Sequence, residues 1–306
     1  FFLNAAIPTI QDESLSYMEG VGKMHHKLNE VINELNQVPE LIDEKIEAAF
    51  DESGLDDKIQ EILANSGISV KNPPENIPPA KGDGVTNDTG AIQQIINYAN
   101  NLGKPTFVEF PAGTYIVNTL EIKPNVSLVG ENVYSTILKL TDYANITPLT
   151  GELNHVYLSN FTLDLNAAHN ATPLTGARLT VTDTAMLSTV RIINAKTQDT
   201  ALNLENNGNF MAEELFIETG FVNLRGTGQA LINGLCVSSA IGVQIGSNYI
   251  IDGSAFLNTP VSVTGTNNTI RAHQTESSPF TVTDPTSNTL DISNHYNRMD
   301  LQAYSM

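Results

Sequence analysis

The sequence predicts a mainly β protein, in which a right-handed parallel β-helix follows an N-terminal α-helical coiled-coil stalk and the chain assembles as a homotrimer. Three observations lead to this expectation: a helical apolar repeat near the N-terminus, a proline-rich break, and strand-like triplets that recur about every 20 residues. They divide the 306 residues into five segments. These are an N-terminal docking segment 1–13, a helical stalk 14–65, a linker 66–80, a parallel β-helix 81–295 and a C-terminal tail 296–306.

The first observation is the stalk, where apolar residues alternate in steps of four and three as in a coiled coil. Leu28 and Leu35 at a positions, with Val31 and Val38 at d positions, favour three or four strands over two. An ordinary amphipathic helix on a globular body is the alternative interpretation. The expected oligomerisation seam comprises Tyr17, Val21, Met24, Leu28, Val31, Leu35, Val38 and Ile42.

The second observation is a cluster of four prolines that separates the stalk from the rest of the chain. Proline lacks a backbone N–H and disrupts helix interiors, and closely spaced prolines favour extended chain. The segment 66–80 is therefore expected to be a linker. The prolines in question are Pro73, Pro74, Pro78 and Pro79.

The third observation is a repeat of about 20 residues in two interleaved series. One series consists of apolar–polar–apolar triplets, which are typical of half-buried strands: Leu202-Asn203-Leu204, Val222-Asn223-Leu224, Val243-Gln244-Ile245, Val261-Ser262-Val263 and Phe280-Thr281-Val282. The other runs through Leu231, Ile250, Ile270 and Leu290. Short repeats bury their apolar faces only by stacking, so we expect about seven coils between residues 150 and 295. A β-sandwich is the alternative, but it would show turns about every 8–12 residues without this period.

One helix is expected before the coils, at residues 91–99. Asp88 or Thr89 is placed to cap its start and Gly103 to end it. Its apolar face must be buried, and covering the open first coil of the solenoid is the natural place. The single cysteine, Cys236, lies among apolar residues and is expected to be a buried thiol.

Charge limits the classes of partner. The net charge is −19 and the pI is about 4.5, whereas nucleic acid requires Lys and Arg against its phosphates. Residues 1–65 hold 14 acidic and 4 basic side chains, which leaves only −9 for the rest of the chain. No run approaches the roughly 20 apolar residues of a membrane span. We therefore expect no nucleic-acid partner and no membrane insertion, and a polar surface that suits a sugar.

Three segments resemble the opening of pectate-lyase-superfamily β-helix domains. They are Lys81-Gly82-Asp83-Gly84-Val85-Thr86-Asn87-Asp88-Thr89-Gly90-Ala91-Ile92, the strand Phe107 to Val117 with its Pro-Ala-Gly-Thr-Tyr sequence, and the stretch from Val126 to Lys139. The resemblance implies the parallel β-helix. It also implies that the Gly-Asp-Gly turn, the helix and the following strand build the N-terminal end and carry no chemistry.

A helical stalk before such a domain is similar in layout to phage tail spikes, and most to the preneck or collar appendages of short-tailed phages of Gram-positive hosts. That resemblance implies a homotrimer on the virion that contacts other tail or collar proteins and binds host wall glycan or teichoic acid. A purely structural collar protein and a secreted bacterial enzyme are alternatives. The chain is shorter than typical members.

Catalysis on the same fold would require two carboxylates about 5–9.5 Å apart. Residues one coil apart on a β-helix approach to about 4.8 Å, so acidic residues separated by about one coil are candidates: Asp164, Asp183 and Asp199. Turn caps and solvated charges explain the same residues. We found no metal-ligand spacing and no phosphate loop, so we expect no metal and no cofactor. We expect attachment, with a glycoside hydrolase, lyase or phosphodiesterase acting on wall polymers as the alternative.

Overall fold

The computed structural model describes residues 26–31, 67–141, 147–169, 175–238 and 240–292. The chain divides into two compact units, Phe1–Ile62 and Leu63–Met306, which we treat separately. In the first unit, residues 26–31 are helical, with Leu28 exposed and Val31 half-buried. The other seam positions lie outside the described residues: Tyr17, Val21, Met24, Leu35, Val38 and Ile42.

The second unit is a right-handed parallel β-solenoid of about eight turns. Within the described residues, sheet A has thirteen strands: β1 (Ile68–Ser69), β2 (Asp83–Asn87), β3 (Thr106–Phe110), β4 (Gly113–Val117), β6 (Val126–Gly130), β7 (Thr136–Leu140), β9 (Val156–Asp164), β11 (Thr184–Ile193), β13 (Asn209–Ile217), β15 (Gln229–Ser238), β17 (Tyr249–Leu257), β19 (Thr269–Glu276) and β21 (Thr289–Ile292). Sheet B has eight: β5 (Leu120–Ile122), β8 (Leu149–Leu153), β10 (Thr175–Val181), β12 (Thr200–Asn206), β14 (Gly220–Gly226), β16 (Ala240–Ile245), β18 (Val261–Val263) and β20 (Phe280–Val282). Seven successive pairs, from β8–β9 to β20–β21, match the expected seven coils.

The triplet series is confirmed residue by residue in sheet B. Leu202 pairs with Val222, which pairs with Val243, then Val261 and then Phe280. The apolar members of the triplets point into the solenoid and are buried, except Val282 in the last coil, which is half-buried against the core. Side-chain alternation with period two is the physical reason, because it is the same in every stacked strand.

The other series is wrong by one residue at its first two members. Ile250 pairs with Thr269 and is 45% exposed, whereas Ile251 pairs with Ile270 and is fully buried. The inward row of sheet A is therefore Ile232, Ile251, Ile270 and Leu290. The shift arises at the corner, where Asn268 aligns with Tyr249 and not with Asn248: its Oδ1 accepts the Tyr249 N–H at 2.9 Å.

From β9 onwards, coil length decreases along the solenoid, as one inward column of sheet A shows. Val156 pairs with Ala185, and Ala185 with Phe210. Further along, Phe210 pairs with Ala230 and Ala230 with Tyr249, so these later steps have the period that the sequence predicts. The step from Val156 to Ala185 is nearly half as long again as these later steps, and the step from Ala185 to Phe210 is intermediate in length. The additional residues lie at the corners where sheet A crosses to sheet B, so the early coils carry larger loops there.

The long strands of sheet A all bend at the same aligned position. Residues with positive φ stack from coil to coil: Asn160, Thr189, Glu214, Gly234 and Gly253. A left-handed residue turns the strand without breaking the pairing on either side, and glycine adopts that conformation without a Cβ penalty. Each long strand therefore has two arms that face different directions.

The expected helix, α1, spans Thr89–Asn101 and packs against β3, β5 and β6. It buries Ile92, Ile95, Ile96 and Ala99, and so covers the first coils. Asp88 occupies the N-cap position, but its carboxylate accepts the N–H groups of Lys81 and Gly82 instead of a helix N–H. Within the described residues, no helix is both long and apolar enough to span a membrane.

Large aromatic side chains are buried inside the solenoid, among them Phe161, Phe210 and Phe256. Cys236 differs from the expectation. It pairs with Phe216 and Ala255 on the outward face of sheet A and is half-buried. Burial there still raises the pKa of its thiol.

Candidate functional site

A cleft of about 370 Å³ lies at the corner where the early strands of sheet A end. The corner loops of the longer coils form its walls. Its lining carries both signs of charge together with amide and hydroxyl groups: Lys139, Asp164, Asn166, Ala168, His169, Asn194, Ala195, Glu218 and Thr219. Such a surface suits a polar, hydroxyl-rich ligand.

Asp164 ends β9 and faces outward, because its neighbours Leu163 and Leu165 point into the core. Its Oδ1 accepts the Asn166 N–H at 2.8 Å and the Asn194 Nδ2 at 2.9 Å. The first bond closes the turn that follows the strand, and the second joins Asp164 to the next coil. The carboxylate is thus held in one orientation at the cleft.

Strand register places two further charged side chains on the same outward row. Lys139 of β7 pairs with Asp164, which pairs with Ile193. Ile192 pairs with Ile217, so Glu218 directly follows the strand beside Ile193. Asp164 and Glu218 therefore stand two coils apart, or about 10 Å between backbones at about 4.8 Å per strand.

Glu218 and its neighbours form the far wall of the cleft. Arg191 Nη2 donates to Glu218 Oε1, and the Arg191 guanidinium lies 5.1 Å from the centre of the Tyr134 ring. A guanidinium over an aromatic face is attractive and holds both groups in place. Tyr134 itself is 71% exposed, so one aromatic surface beside the cleft is open to solvent.

The three predicted carboxylates do not converge. Asp183 lies just before β11, where the strands of sheet A begin, whereas the cleft lies where they end. Its Oδ2 is 3.7 Å from His155 Nε2. Asp199 is fully buried and accepts the Lys196 N–H at 2.6 Å, which makes it part of the corner turn. Only Asp164 reaches the cleft.

Sequence reasoning assumed the regular coil length at this end, but the step from β9 to β11 is the longest of those in the column described above. Lys139, Asn194 and Tyr134 were therefore missed, and Glu218 was not paired with Asp164. For Asp164, the alternation of apolar and polar residues in Thr162-Leu163-Asp164-Leu165-Asn166 is a sequence signal of its outward orientation. Among the residues that the structure describes, no three His, Cys, Asp or Glu side chains are arranged to hold a metal ion.

Comparison with known proteins gives the family. Residues 79–275 match the family described as rhamnogalacturonase A/epimerase, pectate lyase-like. Because the match covers more than half of the chain, the chain belongs to this family. The superfamily expected from the Gly-Asp-Gly turn and the following strand is thereby confirmed.

Individual relatives fall into two groups. The chain is 32% identical over 188 residues to the preneck appendage proteins of Bacillus phages PZA and phi29, and the match covers 52% of this chain and 21% of those proteins. It is 39% identical over 102 residues to alginate lyase 7 of Azotobacter vinelandii, and that match covers 28% of this chain and 12% of the lyase. The match thus spans about a fifth of the phage relatives and less of the lyase.

Solved structures confirm the fold. The A-module of the mannuronan C-5 epimerase AlgE6 of Azotobacter vinelandii superposes with a TM-score of 0.56 at 15% identity, covering 73% of this chain and 68% of that chain. ORF18 of Geobacillus virus E2 superposes with a TM-score of 0.51 at 19% identity, covering 72% and 51%. Both similarities concern the solenoid itself.

Proposed function

We propose that this chain is part of a phage virion appendage that attaches to a host wall polymer. The observation that carries the proposal is the 188-residue similarity to preneck appendage proteins in a chain that belongs to a pectate lyase-like family. The proposed location is the outside of the virion, at its tail or collar.

The N-terminal unit is proposed to assemble and anchor the appendage. Its heptad repeat from Tyr17 to Ile42 supports a parallel homotrimeric stalk. The apolar segment 1–13 before it is proposed to dock onto other tail or collar proteins. The proline-rich segment 66–80 is proposed to connect the stalk to the solenoid, although its residues Ile68–Ser69 already pair with β3 as strand β1 of sheet A.

The proposed ligand is a wall glycan or teichoic acid from a Gram-positive host, bound in the cleft. Lys139 supplies an ammonium group for an anionic repeat, while Asn194 and His169 line the same surface. Asp164 and Glu218 supply carboxylate oxygens that accept hydrogen bonds from hydroxyl groups. The exposed Tyr134 ring beside the cleft offers an apolar face for a sugar ring.

The test measures bound protein and released fragments together, on isolated Gram-positive walls and purified teichoic acid. We expect the unmodified chain to be retained on the walls. The variant Lys139→Ala should be retained more weakly, because it removes the lysine ammonium group from the cleft. Lys81→Ala is the matched control, because Lys81 is exposed and lies outside the cleft. Equal retention of both variants would remove the cleft from the proposal. No retention of the wild-type chain would leave a structural collar role.

Hydrolysis is the second candidate, and the register of Asp164 and Glu218 favours it. Two carboxylates about 6.5–9.5 Å apart leave room for a water molecule in an inverting glycosidase, and the backbones of these two residues are about 10 Å apart. If fragments are released, Glu218→Gln should abolish release. Glu213→Gln is the matched control, because Glu213 lies on β13, the strand that precedes Glu218, but outside the cleft. This variant should release fragments at the wild-type rate.

A further inference from the structure

Sheet A carries an apolar row on its outer face. The row follows the register through Phe107, Ser127, Tyr157, Met186, Met211, Leu231 and Ile250; Ser127 joins it by accepting the Tyr157 N–H at 2.9 Å. Ser127 is the one polar member and is buried. We call the six other residues the apolar ladder: Phe107, Tyr157, Met186, Met211, Leu231 and Ile250.

Three residues of the ladder are substantially exposed to solvent. Phe107 is 47% exposed, Met211 41% and Ile250 45%, and the other three are half-buried. Isolated exposed apolar residues are ordinary on protein surfaces, but a contiguous set marks an interaction site. From β3 to β17 the ladder crosses six strand spacings of about 4.8 Å, and so extends about 29 Å along the solenoid.

Sheet B provides an internal comparison. Its equivalent outward row is polar in every coil: Arg178, Asn203, Asn223, Gln244, Ser262 and Thr281. Both rows stand on parallel strands of the same solenoid, so strand propensity does not explain the difference. Sheet B has an exposed apolar residue, Ile241, but of these two outward rows the apolar one that continues from coil to coil lies on sheet A.

Charge and shape favour a second copy of this chain as the partner. A chain of net charge −19 repels its own copies except through an uncharged surface, and the ladder contains no charged residue. The row beside it towards the corner turn, Thr184, Asn209 and Gln229, is also uncharged. The row on the other side carries two carboxylates, Glu213 and Asp252, and Arg271 lies 3.3 Å from that of Asp252. In a parallel trimer, a row that faces the three-fold axis meets the same row of the neighbouring copies at the same height, so apolar residues contact apolar residues.

We propose that the apolar ladder is the surface through which the solenoids of neighbouring copies contact each other along their length. The inference deepens the homotrimer proposed above and rests on it. A row one side chain wide is too narrow for the roughly 800 Å² per partner of a stable interface. The ladder therefore aligns solenoids that the N-terminal helices already hold close together, where a high effective concentration makes a small contact sufficient.

The experiment uses the purified full-length chain, so that another copy is the only protein partner present. Sedimentation velocity gives the assembly state, and oxidation by dilute hydrogen peroxide, followed by mass spectrometry, reports the accessibility of Met211. The variant Ile250→Glu places a charge on the ladder, two coils away from Met211. The matched control, Gln244→Glu, places the same charge on the outward row of sheet B. Circular dichroism checks that both variants remain folded.

We expect a wild-type trimer in which Met211 is protected from oxidation, loss of that protection in Ile250→Glu, and retained protection in Gln244→Glu. A trimer in which Met211 oxidises equally fast in all three proteins would overturn the ladder but leave the trimer. Loss of protection in both variants would also overturn it, because the effect would then follow charge and not position. A wild-type monomer with Met211 exposed would overturn the trimer and the ladder together.

Discussion

The buried corner residue Asn268 is expected to be important for stability, and Asn268→Ala tests the structural basis of the repeat. Its side chain is 2% exposed and joins three coils. Oδ1 accepts the Tyr249 N–H at 2.9 Å, while Nδ2 donates to Gly246 O at 2.7 Å and to Asn288 Oδ1 at 2.9 Å. Alanine removes all three bonds, and no water can reach a Tyr249 backbone that is fully buried.

The expected cost follows from these contacts. Leaving the buried Tyr249 N–H without a partner costs about 1–3 kcal/mol, and each of the two lost donations costs about 1 kcal/mol, so the free energy of unfolding should fall by about 3–5 kcal/mol. Thermal unfolding followed by far-UV circular dichroism measures the global effect. Hydrogen exchange at the Tyr249 amide measures it locally, and exchange should accelerate at that position first.

The matched control is Asn207→Ala, an exposed asparagine at the corresponding corner of an earlier coil. Its effect should stay within about 0.5 kcal/mol, as for most surface substitutions. If the two variants unfold at the same temperature and Tyr249 exchanges at the wild-type rate in both, side-chain bonding at the corner does not hold the coils together. The register of β17 and β19 would then need another cause.

Three further predictions concern other parts of the chain. Asp83 accepts the N–H groups of Thr86 and Val85, and these bonds lower its pKa from 3.8 to about 2. Its stabilising effect on β2 is therefore complete above pH 3.8 and lost as the pH falls towards 2, and NMR titration of the Thr86 amide should show a midpoint near 2 and not near 3.8. Phe256→Ala should lower the free energy of unfolding by about 3–5 kcal/mol, since the ring is fully buried, and an effect below about 1 kcal/mol in calorimetry would contradict the packed core. Replacing Leu28 and Leu35 with Lys should yield monomers at micromolar concentration in sedimentation experiments, whereas persistent trimers would refute the stalk as the assembling element.

The position of the cleft explains why function was harder to predict than fold. Sequence reasoning looked for acidic residues separated by one regular coil, and so selected Asp164, Asp183 and Asp199. In the structure the step from β3 to β6 is regular, but the steps from β9 to β11 and from β11 to β13 are longer, and the regular length returns only at β13. Irregular coils have longer corner loops, and a concave surface forms where such loops project. The site therefore lies where the repeat is least regular.

The ladder illustrates a related limit. Period-two alternation shows that Ile250 and Ile251 face opposite sides, but not which of them faces inward. The corner decides this, because Asn268 aligns with Tyr249 in place of Asn248. A shift of one residue exchanges the core face and the solvent face of a strand, so a small irregularity in a turn determines which residues form a surface.

Local patterns by themselves determined the solenoid, the helix over its first coils and the register of sheet B. These features depend on side-chain alternation, apolar spacing and turn residues that lie close together along the chain, as in Leu202 and Val222 or the buried face of α1. The bend in sheet A, the cleft around Asp164 and Glu218, and the apolar ladder were decided only by the tertiary structure. Each of them brings together residues from several coils of unequal length, and the length of each coil is set by how its corner packs against the next.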